Sequence, residues 1–343
     1  MTDSETIARV LDAAERRRLE RRRFLRTASA AGLAIGGSSL LAACGSGDKN
    51  KAPTPTPTPS GSPTPTPSAT VTYTDADVLA FALNFEYLEA QFYLHAAFGS
   101  GLDASLTKGA TDTDTAGAVT GGKKVAFADD VIAQYAREIA ADERAHVAFL
   151  RTQLGTAVIP QPAINIDGGA SGAFTAAARG AGLVGSSGTF DPYASDENFL
   201  LAAFLLEDIG PTAYRGGLAA MSNAVMVEAA TGIMATESYH AGLIRSTIYA
   251  SGDSTLIGNA NKLSNWRDSV DGTSDDDRVL DGSGGASQIA PNDPQNAIIY
   301  ARTPGQVLNI LFQSANAVTK GGFFPNGIKG KITTSDGAAP SAG

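Results

Sequence analysis

Two of the three histidines in this 343-residue chain stand three positions after a glutamate. The pairs are Glu143 with His146 and Glu237 with His240. On an α-helix, residues three apart share a face, so each pair points a carboxylate and an imidazole at one spot. Both groups bind divalent transition metals. The spacing therefore predicts two ligand arms of a metal site, one on each of two helices.

A centre of two metal ions in a helical bundle also needs a glutamate from each of the two remaining helices. One segment offers Glu86 and Glu89, which lie on similar faces of the same predicted helix, and another offers Glu207. The spacing leaves the choice between Glu86 and Glu89 open. With Glu86 taken, six residues are predicted to hold two divalent ions, iron or manganese. They are Glu86, Glu143, His146, Glu207, Glu237 and His240.

The alternative is that these acids and histidines pair with one another and bind no metal. Four carboxylates that converge in an apolar interior repel each other and lose their hydration, and divalent cations relieve both costs. We therefore prefer the metal site. Other candidates point away from it: His95 lies about opposite Glu86 on its helix, and Glu138 and Glu228 are predicted on solvent faces.

Four long apolar-periodic segments must position these residues, and β-strand signals are scarce. The helices are predicted at Asp75–Phe98 and at about 127–154, 195–221 and 224–251. Thr74 and Ser195 are candidate N-caps. Helices of this length are typical of bundles rather than of average globular domains. The fold class is therefore all-α, a four-helix bundle over residues 73–252, with a bend in the third helix at Pro211.

Long connections and a C-terminal extension depart from a minimal bundle. Residues 99–126 and 155–194 are rich in Gly, Ser, Thr and Asp, and we expect long connections there. Residues 253–343 are predicted to form a loop-rich extension that packs on the bundle, with one short helix from Pro304 to about Ala317. The run from Asp275 to Asp277 is interpreted as a solvated group of charges, with a calcium site as the alternative.

Several motifs resemble the ferritin-like domain of desiccation-related proteins of bacteria and plants. In the first predicted helix, Glu86 follows Asn84 by two positions and precedes Tyr93 by seven, as the ligand glutamate does in ferritins, so the resemblance favours Glu86 over Glu89. The other matching segments are residues 142–146, 206–210, 237–242, 302–308 and 321–327. The resemblance implies a ferritin-like four-helix bundle and a metal site, but it does not imply a reaction. The long connections argue against a hollow iron-storage cage, and a homo-oligomer remains open.

Residues 1–43 resemble an export signal rather than part of a fold. Three arginines at 21–23, followed by Phe24 and Leu25, precede an apolar stretch that is too short and too rich in Gly and Ser to span a membrane. This arrangement resembles the signal of the Tat pathway. A basic disordered tail is the alternative. We therefore expect the Tat export machinery as a partner and the periplasm or cell envelope as the location.

The same segment ends in Leu41-Ala42-Ala43-Cys44, which resembles a bacterial lipobox. Cys44 is accordingly predicted to be lipidated, which would anchor the protein to the membrane; simple cleavage by a signal peptidase is the alternative. Residues 44–72 include an alternation of Pro with Thr or Ser, which is typical of an extended, solvated stalk.

The charge and the cysteine count exclude some classes of function. The net charge is −9, and residues 1–43 hold eight arginines against five acids, so the remainder is more acidic than the whole chain. An acidic body without a basic stripe argues against nucleic acid as a partner. With a single cysteine, no internal disulfide can form. Two functions are left: a redox enzyme acting on oxygen or peroxide, and a non-enzymatic metal-binding or stress-protective protein.

Overall fold

The computed structural model describes residues 73–111, 113–272, 277–281 and 287–337. The predicted signal, Cys44 and the predicted stalk lie outside the described residues. Within the described ranges, no helix is long and apolar enough to cross a membrane.

The described part of the chain is mostly helical, as the sequence predicts. The helices are α1 (Asp75–Phe98), α2 (Asp130–Leu154), α3 (Ala173–Gly180), α4 (Asp196–Glu207), α5 (Gly210–Leu218), α6 (Ala224–Ala250), α7 (Ser254–Val270) and α8 (Pro304–Phe312). The bundle consists of α1, α2, the consecutive pair α4 and α5, and α6; α1 packs along α2, and α4 and α5 pack on α6.

Helix α1 is the central element of the bundle. Thr74 caps its start in a capping box with Asp77, and Gly99 ends it with a φ of 81°, a conformation that glycine adopts without strain. Its residues are buried almost continuously from Val78 to Ala97 because neighbours cover every face. The C-terminal part of the chain supplies one of these neighbours: the backbone of Lys329 makes hydrogen bonds of 2.8 and 2.9 Å with the Asn84 amide.

Helices α2 and α6 each bury one stripe and expose the opposite face. In α2 the stripe includes Glu143 and His146, and in α6 it includes Glu237 and His240. Asp129 caps α2 through hydrogen bonds to the backbone N–H groups of Val131 and Ile132, so the helix begins three residues later than the sequence suggests. Both stripes face the interior, where they meet α1 and α4.

The third bundle helix is broken, as expected from Pro211. Helix α4 ends at Glu207, and α5 begins at Gly210 with Pro211 in its first turn. Proline lacks the backbone N–H of a helix interior but fits the first turn. The break therefore leaves Glu207 on the last turn of α4.

The long connections contain some regular structure. Strand β1 (Val119–Gly121) pairs in parallel with β2 (Ile164–Ile166), one strand from each connection. Helix α3 follows β2 and places Phe174 5.2 Å from the ring of Phe92 on α1. The second connection is thereby tied to the bundle core.

Two expectations for the C-terminal extension were wrong. It contains the 17-residue helix α7, which Asp253 caps, and α8 ends at Phe312 rather than near Ala317. Asp277 is not solvated: it is 7% exposed and lies 2.6 Å from the Nε of Arg267 and 3.0 Å from a terminal nitrogen of Arg302. Asp275 and Asp276 lie outside the described residues. Asp277 thus acts as a buried counterion instead of belonging to an exposed acidic run.

Candidate metal centre

The six predicted ligands meet in the middle of the bundle. The four glutamates are fully buried, and His146 and His240 are 9% and 4% exposed. One donor atom from each of Glu86, Glu143, His146 and Glu237 lies within 4.8 Å of the others. Glu143, Glu207 and His240 form a second group, of three residues, within the same distance limit. The structure therefore brings all six side chains into two adjoining donor groups that share Glu143.

The histidines face the cluster through their Nδ1 atoms. The Nδ1 of His146 lies 3.1 Å from an oxygen of Glu86 and 3.3 Å from oxygens of Glu143 and Glu237. The Nδ1 of His240 lies 3.0 Å from an oxygen of Glu143 and 3.6 Å from one of Glu207. Each imidazole thus stands among carboxylate oxygens from several different helices.

Many of these donor atoms make no hydrogen bond. Both carboxylate oxygens of Glu207 and of Glu237, one of Glu143, and the Nδ1 of His240 are buried without a partner. His240 and Glu143 are close but not aligned for a hydrogen bond. Unpaired buried polar groups are costly and uncommon in folded proteins. Lone pairs that converge without pairing are what a bound cation requires, and carboxylate with imidazole suits iron or manganese. The residues therefore fit two divalent ions.

Two outer contacts hold the candidate ligands in place. The Nε2 of His240 lies 3.2 Å from an oxygen of Asp142, which fixes the ring with Nδ1 turned toward the cluster. The hydroxyl of Tyr214 on α5 donates a hydrogen bond to Glu86. Carboxylate and hydroxyl partners of this kind orient metal ligands and tune their basicity.

In the metal-free protein, the buried acids and histidines of the cluster have pKa values shifted in different directions. Burial raises the pKa of Glu86 to about 8, although the neighbouring His146 opposes the shift. Burial would also raise the pKa of Glu143, but the hydrogen bond from His146 and the positive charge of the nearby imidazoles lower it to about 2. Burial would lower the pKa of His240, yet Glu207, Asp142 and Glu143 raise it to about 12. The imidazoles thus act as the cations of the metal-free centre, and they must lose protons when a metal binds.

Glu89 also belongs to this region. It is fully buried, both of its oxygens lack a hydrogen bond, and it groups with Glu207 and Glu237 within the same 4.8 Å limit. The spacing alone leaves Glu86 and Glu89 as alternatives for one ligand position, whereas both side chains lie in the centre of the structure. Their spacing already indicated that both belong to the centre, because side chains three residues apart on a helix face the same way.

The remaining candidates lie outside the donor groups. His95 is partly buried in the last turn of α1, where the Gly122 loop crosses its ring. Glu138 and Glu228 are exposed, as predicted. Tyr239 is 79% exposed, whereas Tyr93 is fully buried. Burial raises the pKa of Tyr93, and the charge of Glu207 adds to this shift.

Comparison with known proteins is consistent with this geometry. The ferritin-like domain family matches residues 74–250. The chain is 27% identical over 269 residues to the ferritin-like catalase Nec2 of Nesocodon mauritianus, covering 75% of this chain and 84% of that protein. It is also 27% identical over 267 residues to the desiccation-related protein PCC13-62 of Craterostigma plantagineum, covering 74% and 82%. No solved structure matches the chain. The chain belongs to the ferritin-like family that includes the desiccation-related proteins.

Proposed function

We propose that this protein is a di-metal oxidoreductase that breaks down hydrogen peroxide. The observation that carries the proposal is the pair of adjoining donor groups, which share Glu143 and contain the unpartnered oxygens of Glu207 and Glu237. Shared carboxylates hold two cations close together, as a two-electron reaction on one small substrate requires. The similarity to a protein named ferritin-like catalase supports peroxide as the substrate.

Peroxide breakdown is balanced without an external reductant. One molecule of hydrogen peroxide is oxidised to dioxygen while a second is reduced to two molecules of water. Iron or manganese ions supply the required change of oxidation state when they are bound.

The residues around the centre determine which substrates can reach it. All of the glutamates are fully buried, and the imidazole of His146, 11% exposed, is the candidate ligand most open to solvent. Asp142, whose side chain is 42% exposed, stands beside His240 at the same edge. Because so little of the centre is exposed, small substrates such as peroxide or oxygen are favoured. Asp142 can also accept a hydrogen bond from the Nε2–H of His240, which leaves Nδ1 available to bind a cation.

The test is oxygen evolution from hydrogen peroxide by the purified, metal-loaded protein. The double variant Glu143→Ala with His240→Ala removes the shared carboxylate and one imidazole, and we expect it to abolish the activity. Glu138→Gln with Glu228→Gln is the matched control, because both residues are exposed acids on α2 and α6. Peroxide breakdown that persists in the first double variant would rule out this site as the catalyst.

A second function is a non-enzymatic metal-binding or stress-protective protein. The equal identity to a desiccation-related protein favours it. It predicts bound metal without peroxide consumption or oxygen uptake, so the same assay separates the two functions.

Export to the cell envelope is a further part of the proposal, and it depends on the N-terminal sequence alone. Exchange of Arg21 and Arg22 for Lys should leave the precursor in the cytoplasm. Cys44→Ser should release the exported protein from the membrane fraction and abolish incorporation of a labelled fatty acid. Unchanged secretion of the Lys variant would exclude the Tat route. That route exports folded proteins, so metal would be acquired before export.

A further inference from the structure

Glu89 is a fifth buried carboxylate that the six-ligand centre does not use. Its side chain is 0% exposed, and neither of its oxygens has a hydrogen-bond partner. It lies on α1, one helical turn after Glu86, and it groups with donor atoms of Glu207 and Glu237. An ionised acid in this setting requires a compensating positive charge.

The half of the bundle that contains α1 and the half that contains α4 and α5 differ at this position. Glu86 precedes Tyr93 by seven residues, and Glu207 precedes Tyr214 by seven, so the two glutamates occupy equivalent places on their helices. Three residues after Glu86 stands Glu89, whereas three residues after Glu207 stands Gly210. The missing side chain matters because a Cβ at Gly210 would lie 2.2 Å from the Oε2 of Glu237. Helix α1 therefore has a carboxylate at the position where α5 has no side chain, which leaves space for Glu237.

The grouping of donor atoms places this extra carboxylate between the two donor groups. Glu237 belongs to the first group and Glu207 to the second, and Glu89 lies within 4.8 Å of a donor atom of each. Its oxygens are thus available to the metal centre on the side where Glu207 and Glu237 approach each other.

The charges agree with direct ligation. Five glutamates carry five negative charges, against four positive charges from two divalent ions and none from metal-bound imidazoles. The surplus carboxylate is best stabilised in contact with a cation, because no Lys or Arg ion pair reaches Glu89 among the described residues.

We propose that Glu89 is a seventh ligand of the metal centre, beside Glu207 and Glu237. The inference rests on the proposed metal binding and deepens it. The additional carboxylate strengthens the binding of divalent ions by the centre.

The experiment is a titration of the metal-free full chain with Mn²⁺, followed by equilibrium dialysis and calorimetry. The wild type should bind two ions in two steps. Glu89→Gln should weaken at least one of these steps by at least 10-fold, in line with the loss of a metal-site partner. Glu89→Ala is the second variant, because a Gln amide could donate a hydrogen bond to Glu207. Glu228→Gln, an exposed acid, is the matched control and should leave both steps unchanged.

Circular dichroism checks that each variant keeps its helices.

Two outcomes overturn the inference while the proposed metal centre survives. They are two unchanged binding steps in Glu89→Gln and Glu89→Ala, and three ions in the wild type. The last result would make Glu89 part of a separate site. A wild type that binds no Mn²⁺ or Fe²⁺ would instead refute the metal centre itself.

Discussion

The replacement Gly210→Ala tests the centre without touching a predicted ligand. A Cβ at this position would lie 2.2 Å from the Oε2 of Glu237, whereas ordinary contact begins at 3.4 Å. The carboxylate must therefore retreat by about 1.2 Å, the difference between these distances. Metal–ligand distances tolerate only about 0.2 Å. We expect the affinity for Mn²⁺ to fall by at least 10-fold.

The fold should tolerate the same change. The atom that must move is the end of a flexible side chain rather than backbone. Overpacking of this kind costs about 1–3 kcal/mol, or about 2–4 °C in Tm for each kcal/mol. Affinity should thus fall far more than stability, which distinguishes a ligand displacement from general damage.

Calorimetric titration with Mn²⁺ and thermal unfolding of the metal-free protein measure the two effects. Gly232→Ala on α6 is the matched control, since a Cβ there meets nothing within 4 Å. It should leave both binding steps unchanged and keep or slightly raise the Tm, because Ala favours a helix over Gly. If Gly210→Ala binds two ions as tightly as the wild type, Glu237 is not held by a metal and the reasoning fails.

Three further predictions follow from the site and its support. Asp142→Ala removes the acceptor of His240 Nε2 and should weaken Mn²⁺ binding by about 10- to 100-fold, measured by equilibrium dialysis, with unchanged affinity as the contrary result. The pKa of Glu86 is raised from 4.5 to about 8, so its neutral form stabilises the metal-free fold fully below pH 4.5 and loses this effect as the pH rises through 8. The Tm of the metal-free protein should therefore fall between pH 5 and 8 while metal loading flattens the decline, and a metal-free Tm that rises over this range would contradict the assignment. Asp277→Asn removes one of the three buried aspartates that balance Arg245, Arg267 and Arg302, so one positive charge is left uncompensated; it should cost about 3–5 kcal/mol in urea unfolding, whereas a loss below 1 kcal/mol would mean that the extension does not depend on this contact.

Local spacing explains why much of the site could be predicted from sequence. Glu143 with His146 and Glu237 with His240 depend only on helical geometry, and the ends of α1 depend on the caps Thr74 and Gly99. The break before Pro211 is likewise a local effect. These features need no knowledge of the rest of the fold.

Features that depend on distant partners could not be predicted. Asp277 looks like one residue of a charge run until α7 brings Arg267 beside it. Helix α7 is an exception, because Leu256, Ala260 and Leu263 recur at helical spacing after the cap Asp253 and could have predicted it. Glu89 could be recognised as an additional member only after Glu207 and Glu237 were seen to approach it. Pairing of β1 with β2 joins two separate connections and leaves no local signal.

The metal content of the native protein tests the central claim most directly. The protein should be purified without added metal or chelator and analysed by elemental mass spectrometry against its concentration from amino-acid analysis. The two donor groups predict two iron or manganese ions per chain. Absence of transition metal from the natively purified protein, together with failure to take up Mn²⁺ or Fe²⁺, would mean that the buried acids and histidines only pair with one another.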